Sequence, residues 1–212
     1  MANQLNQSEP VTTKVSSELT TTRSLNIPNM ITFSRLILTF VILILISIEK
    51  VWFATTILFI IAVGTDFLDG YLARKWNQIT TLGRIMDPFV DKIIIGGTMI
   101  FLTAIPGSGV TDWMTFTVIA REMFITALRS VLEGQGVDFS AQLSGKLKML
   151  LQSIVIPFSL LSLSPWFQQQ LGESFPTFVF TRDVLLWTMV AVTVYSGIEY
   201  ILRGWSIMTK KK

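Results

Sequence analysis

Six apolar runs divide this chain, at 31–48, 51–70, 88–106, 111–130, 147–164 and 182–202. Each is near the ~20 residues that a helix needs to cross a bilayer. Turn chemistry marks several breaks, at Pro106-Gly107, at Ser164-Pro165, and from Gly172 to Pro176. Residues 1–23 are polar, rich in Ser, Thr, Asn and Gln, and hold no apolar run, which predicts a disordered tail. The pattern therefore predicts an all-α integral membrane protein, with the tail 1–23 followed by a transmembrane domain over 24–212. Its expected architecture is six transmembrane helices preceded by a short juxtamembrane N-terminal helix. No internal repeat is visible, so an inverted-repeat transporter gains no support.

Composition agrees and narrows the chemistry. Half of the 212 residues are hydrophobic, the mean hydropathy is +0.57 and only 15% are charged. There is no cysteine and no histidine. Thiolate and Ser-His-Asp mechanisms are thereby closed, and a metal site must be built from oxygen donors. The net charge of +3 is modest and does not suggest nucleic-acid binding. Its placement says more. Basic residues gather in 71–87, in 129–148 and in the tail from Arg203 to Lys212, whereas the intervening links are poor in them. The positive-inside rule then predicts a multi-pass protein of the cell membrane with both termini and the segment around 71–87 facing the cytoplasm.

That segment holds the most pointed chemistry. Asp66, Asp69, Asp87 and Asp91 fall within one short, otherwise apolar stretch. Ionisable groups at the edge of a membrane span are costly and usually functional. On helices, Asp66 and Asp69 share a face, as do Asp87 and Asp91. The short connection predicts antiparallel neighbours, with the two pairs facing one another across a helix–helix interface. Four carboxylates without His or Cys suit Mg²⁺ or Mn²⁺, and two such ions form the usual clamp for displacement at phosphorus. Gly70 and Ala73 leave one face bare for a phosphate-bearing group, and Arg74 offers a bidentate fork. Plainer readings compete: Asp87 before Pro88 has the grammar of a helix start, and Asp66 and Asp69 could simply pair with Arg74 and Arg84.

The run D66-x2-D69-G70-x2-A73-R74-x8-G83-x3-D87-x3-D91 resembles the signature of the CDP-alcohol phosphatidyltransferases at every fixed position. The resemblance implies six transmembrane helices, a homodimer and a cytosol-facing site for two Mg²⁺ or Mn²⁺ ions held by Asp66, Asp69, Asp87 and Asp91. It further implies that Asp91 is the general base for the acceptor hydroxyl. Gly70, Ala73 and Arg74 would lie against the CDP moiety, with Gly83, Asn29 and Thr32 on the same nucleotide side; Asn29 and Thr32 could equally start a helix, and Arg35 is a further candidate.

The flanks N26-I-P28-N29-M-I-T32-F-S-R35, R121-E122-x6-R129 and G145-K146-x-K148-x3-Q152 resemble the branch of the family that uses glycerol 3-phosphate. The implied reaction moves the phosphatidyl group of CDP-diacylglycerol, a membrane lipid, onto that acceptor. A dianionic acceptor needs fixed cations, and Arg121, Arg129, Lys146 and Lys148 are the candidates. The competing reading makes Arg129, Lys146 and Lys148 topology signals. Met149 departs from the Thr that the family commonly carries there. Rival readings are another acceptor (serine, inositol phosphate or phosphatidylglycerol), an intramembrane prenyltransferase, or a cation transporter.

Overall fold

The computed structural model describes residues 27–75, 81–134 and 143–210, apart from the side chains of 27–29, 66–85, 208 and 210. Among them every regular element is helical. Helix α1 is Ile27–Ile48, α2 Trp52–Lys75, α3 Thr81–Thr103, α4 Asp112–Gly134 and α5 Leu143–Ser162. A short α6, Pro165–Leu171, and a 3₁₀ turn, Gly172–Ser174, lead into the long α7, Phe175–Lys210. The six apolar runs thus correspond to α1 to α5 and α7. The expected tail and any separate helix before Ile27 lie outside the described residues.

Two helices, over Met30–Ile48 and Pro165–Ile207, are long and apolar enough by themselves to cross a membrane. The surface points the same way. Phe33, Phe40, Ile44, Ile60, Phe116, Phe124, Val184 and Ile201 are all exposed, an apolar coat that lipid rather than water would tolerate. Hydroxyls within the helices turn back on their own backbone: Thr39 donates to the Arg35 carbonyl, Thr56 to Trp52 and Thr193 to Met189. That satisfies them without water, as an apolar surrounding requires. Of the tryptophans, Trp113, Trp166, Trp187 and Trp205 are exposed as an interfacial belt would have them, whereas Trp52 is buried in the core.

The core runs along the bundle through Ile42, Phe59, Ile94, Met99, Val118, Val155, Leu160 and Met189. Over the described residues, α2 and α3 each pack on α1, and α7 packs on α4 and α5. Among the described residues α1 is the shared partner of α2 and α3; the interface expected between Asp66/Asp69 and Asp87/Asp91 involves side chains outside them.

Two sequence expectations change. Pro88 does not open a helix: α3 begins seven residues earlier and runs through it. Asp87 is therefore interior, not an N-cap, and the helix accepts the one backbone bond that proline removes. Likewise the turn at 172–176 is shorter than its composition suggests. Gly172 has φ +49°, but Phe175 and Pro176 already belong to the first turn of α7, where proline is tolerated.

One end of the bundle is closed by a hydrogen-bonded knot. Gly107 and Gly109, with φ of +86° and +77°, turn the chain between α3 and α4. Ser159 donates to the Ser108 carbonyl at 2.6 Å, and Arg182 Nη1 donates to the Gly107 carbonyl and to Ser162 Oγ at 2.5 and 2.7 Å. A Cβ on Gly109 would stand 2.7 Å from Arg182 Nε, so glycine is required there twice over.

Candidate functional site

The carboxylates occupy the other end. Asp66, Asp69, Gly70, Ala73 and Arg74 all lie on α2, and Gly83 lies in the first turn of α3. Their side chains, and that of Asn29, fall outside what is described. Asp87 and Asp91 are described, one turn apart on α3. Each is held from α1. Thr32 Oγ1 donates to Asp87 Oδ1 at 2.8 Å, and Arg35 Nη2 donates to Asp91 Oδ1 at 2.7 Å. Thr32 and Arg35 are three apart on α1 and so reach α3 from one face.

Arg35 does more than neutralise Asp91. It is 2% exposed, and its Nε donates to the Ala62 carbonyl on α2 at 3.1 Å. Ala62 stands one helical turn before Asp66, so one guanidinium ties together the two helices that carry the four aspartates. That makes Arg35 a strut between the halves of the carboxylate set, whereas the sequence suggested a nucleotide contact. Thr32, too, touches a carboxylate.

Among the described residues no three metal-ligating side chains cluster. The four-aspartate set extends beyond them, because only Asp87 and Asp91 are described in full. Those two fit a hard divalent cation: both are oxygen donors on one helix face, each held by a hydrogen bond from α1.

A second polar cluster lies at comparable depth. At 1.5 Å per residue, Asp91 is about 18 Å along α3 from its end near the Gly107 turn, and Arg121 about 14 Å along α4 from it. Glu122 accepts from Lys148 of α5 in a very short contact and from Arg121 Nη1 at 3.4 Å. Lys148 is 3% exposed. Arg121 also donates from Nη2 to Ser196 Oγ of α7 at 2.6 Å. The guanidiniums of Arg121 and Arg129 both lie over the ring of Tyr200, with Cζ 5.4 and 6.0 Å from its centroid. Buried donors stay unmatched here: Nε of Arg121, Nε of Arg129 and Nε2 of Gln152 have no hydrogen-bond partner among the described residues. Such a surplus of donors is the condition in which an anion binds well.

The four basic candidates therefore divide. Arg121, Arg129 and Lys148 are linked through Glu122 and Tyr200. Lys146 is exposed and makes no ion pair among the described residues, so the structure does not bring it into the cluster. Met149 is also exposed, which takes its missing hydroxyl out of the cluster. Sequence reasoning did not single out Glu122, Ser196 or Tyr200 as site residues. Glu122 carried a signal, a carboxylate inside an apolar run that demands a cation. Ser196 and Tyr200 carried little, because hydroxyl residues near the end of an apolar helix are common.

Over residues 25–195 the chain matches the CDP-alcohol phosphatidyltransferase family. It is similar to the CDP-diacylglycerol–glycerol-3-phosphate 3-phosphatidyltransferase of Bacillus subtilis (strain 168), 36% identical over 197 residues, spanning 86% of this chain and 97% of that protein. A protein with the same name from Escherichia coli (strain K12) is 31% identical over 180 residues, spanning 83% of this chain and 93% of its own length.

Proposed function

The chain belongs to the CDP-alcohol phosphatidyltransferase family, and on that premise we propose that it transfers the phosphatidyl group of CDP-diacylglycerol to glycerol 3-phosphate. The products are phosphatidylglycerol phosphate and CMP. The observation that carries the acceptor assignment is the basic cluster of buried Lys148 and half-buried Arg121 and Arg129. Three cations, Arg121, Arg129 and Lys148, gather around Glu122 and Tyr200, and Nε of both arginines is unmatched among the described residues. A phosphate dianion, on glycerol 3-phosphate or on inositol phosphate, matches those donors, whereas serine does not; the parallel assay separates the two phosphates.

In this reading the protein crosses the cell membrane six times over residues 24–212, as a homodimer with both termini and the site facing the cytoplasm. Asp66, Asp69, Asp87 and Asp91 would hold two Mg²⁺ or Mn²⁺ ions, which supply charge neutralisation on the pyrophosphate and on the departing CMP. The rest falls to the chain. Gly70, Ala73 and Gly83 give the nucleotide close backbone approach, and Arg74 forks onto phosphate, with Asn29 beside the nucleotide. Arg121, Arg129 and Lys148 grip the acceptor's phosphate and turn its free hydroxyl toward Asp91. Asp91 takes the hydroxyl proton as the oxygen attacks the phosphorus that bears diacylglycerol. A new P–O bond forms, and the bond to CMP breaks. Thr32 and Arg35 keep Asp87 and Asp91 aligned, so most of the rate gain comes from positioning and electrostatics.

The test offers purified protein CDP-diacylglycerol and Mn²⁺ with glycerol 3-phosphate, serine, inositol phosphate or phosphatidylglycerol in parallel. CMP release is expected with glycerol 3-phosphate. Fast release with serine and none with glycerol 3-phosphate overturns the acceptor.

A further inference from the structure

Helix α7 carries three residues that the reaction as written does not use, and all three meet the arginines of the acceptor cluster. Ser196 Oγ accepts from Arg121 Nη2 at 2.6 Å. A Cβ on Gly197 would stand 3.3 Å from Arg121 Cγ, so the arginine's stem lies close against the bare backbone of α7. Tyr200, 2% exposed, presents its ring to the guanidiniums of both Arg121 and Arg129.

We propose that Ser196, Gly197 and Tyr200 form a positioning platform on α7 that holds Arg121 and Arg129 as a two-pronged clamp for the acceptor's phosphate; this rests on the acceptor reading above. The physical reason lies in how an aromatic ring holds a cation. Its face attracts the positive charge without accepting from the N–H groups. A carboxylate in the same place would attract the charge and also consume the donors. One ring gathers both guanidiniums while leaving Nε of each unmatched among the described residues. An anion that reaches these donors satisfies them and offsets the gathered positive charge. The hydroxyl end of the ring is bounded by α5, because a Cβ on Gly145 would come within 3.2 Å of Tyr200 Oη.

Tyr200 also packs with Ile125 and Leu132, so a purely structural role must be separable. The test uses the full chain in lipid nanodiscs, with CMP-release kinetics and thermal unfolding in the presence or absence of inorganic phosphate. Tyr200→Phe keeps the ring and should leave KM for glycerol 3-phosphate within about twofold. Tyr200→Leu keeps an apolar filler but loses the ring. It should raise that KM about tenfold, leave KM for CDP-diacylglycerol within about twofold, and lose stabilisation by phosphate. Gly145→Ala, which crowds the phenol, and Ser196→Ala should each raise the acceptor KM roughly threefold, and they carry the test if Tyr200→Leu does not fold. An unchanged acceptor KM in these variants, or equal rises in both KM values, overturns the platform. The wild type separates this from the parent reading: inactivity with glycerol 3-phosphate sinks the acceptor assignment. Phosphate stabilisation of the wild type that Tyr200→Leu abolishes would still support the platform, and no stabilisation of the wild type by phosphate overturns it.

Discussion

Arg182 and Arg121 lie on neighbouring helices at different depths of the bundle, and the same side chain is used in contrary ways. Arg182 is spent. Its Nη1 donates to Gly107 and Ser162, and Nε and Nη2 donate to Asp183. Nothing about it invites a ligand; it staples the turn between α3 and α4 to α5 and α7. Arg121 is held by one hydroxyl, a distant carboxylate oxygen and a ring, and its Nε stays unmatched, as does that of Arg129. Along α7, Arg182 and Ser196, the residue that holds Arg121, are about 20 Å apart, since 14 residues separate them. Burial of a cation therefore does not by itself mark a functional site. What marks it is whether its donors are already consumed.

Asp91 sets the scale of that contrast. Asp91→Asn keeps an oxygen that can accept from Arg35, so the strut to Ala62 and the fold should survive. Turnover should fall about a thousandfold, the range of a lost general base. CMP release alongside thermal unfolding checks this, and near-normal activity would remove Asp91 as the base. Next in size is Arg182→Ala, which strands the Gly107 carbonyl, although Ser162 still donates to Ser159, and should cost about 2 kcal/mol of stability. It should leave both KM values unchanged once the protein is folded; a specific rise in the acceptor KM would erase the distinction between the two arginines. Arg129→Ala should invert that pattern. Its Nε has no partner to strand, so the melting temperature should move little, while KM for glycerol 3-phosphate rises about tenfold, as for one lost charge-assisted contact.

The helices were legible because their signal is local: an apolar run of about 20 residues has few alternatives. The aspartates were legible as candidates because spacing on a helix is also local. Pro88 misled for the same reason. Asp87-Pro88 looks like a helix start in isolation, and only the three-dimensional register shows α3 already under way, with Asp87 turned to Thr32. The role of Arg35 was illegible in another sense. Its sequence position fits a nucleotide contact as well as a strut, and nothing in the chain says that its guanidinium meets both Ala62 and Asp91. Pairing among charges is tertiary information. Glu122 could be expected to need a cation, but Lys146, Lys148, Arg121 and Arg129 were all available to it.

Lys146 and Lys148 give the smallest and cleanest comparison, two residues apart on α5. A helix turns about 100° per residue, so neighbours at this spacing face nearly opposite ways. Lys148 is buried against Glu122, and Lys146 is exposed. The sequence placed both in the phosphate pocket; burial separates them. Lys146→Ala should change KM for glycerol 3-phosphate by less than about twofold, because a solvated charge is largely screened. The same substitution should still weaken the positive-inside signal of the 129–148 segment, to which Lys146 contributes one of three basic residues. Steady-state kinetics at low and at high salt decides the matter. A rise of tenfold that persists at high salt would put Lys146 back in the pocket, and would mean that exposure is no guide to which cations of this bundle hold the acceptor.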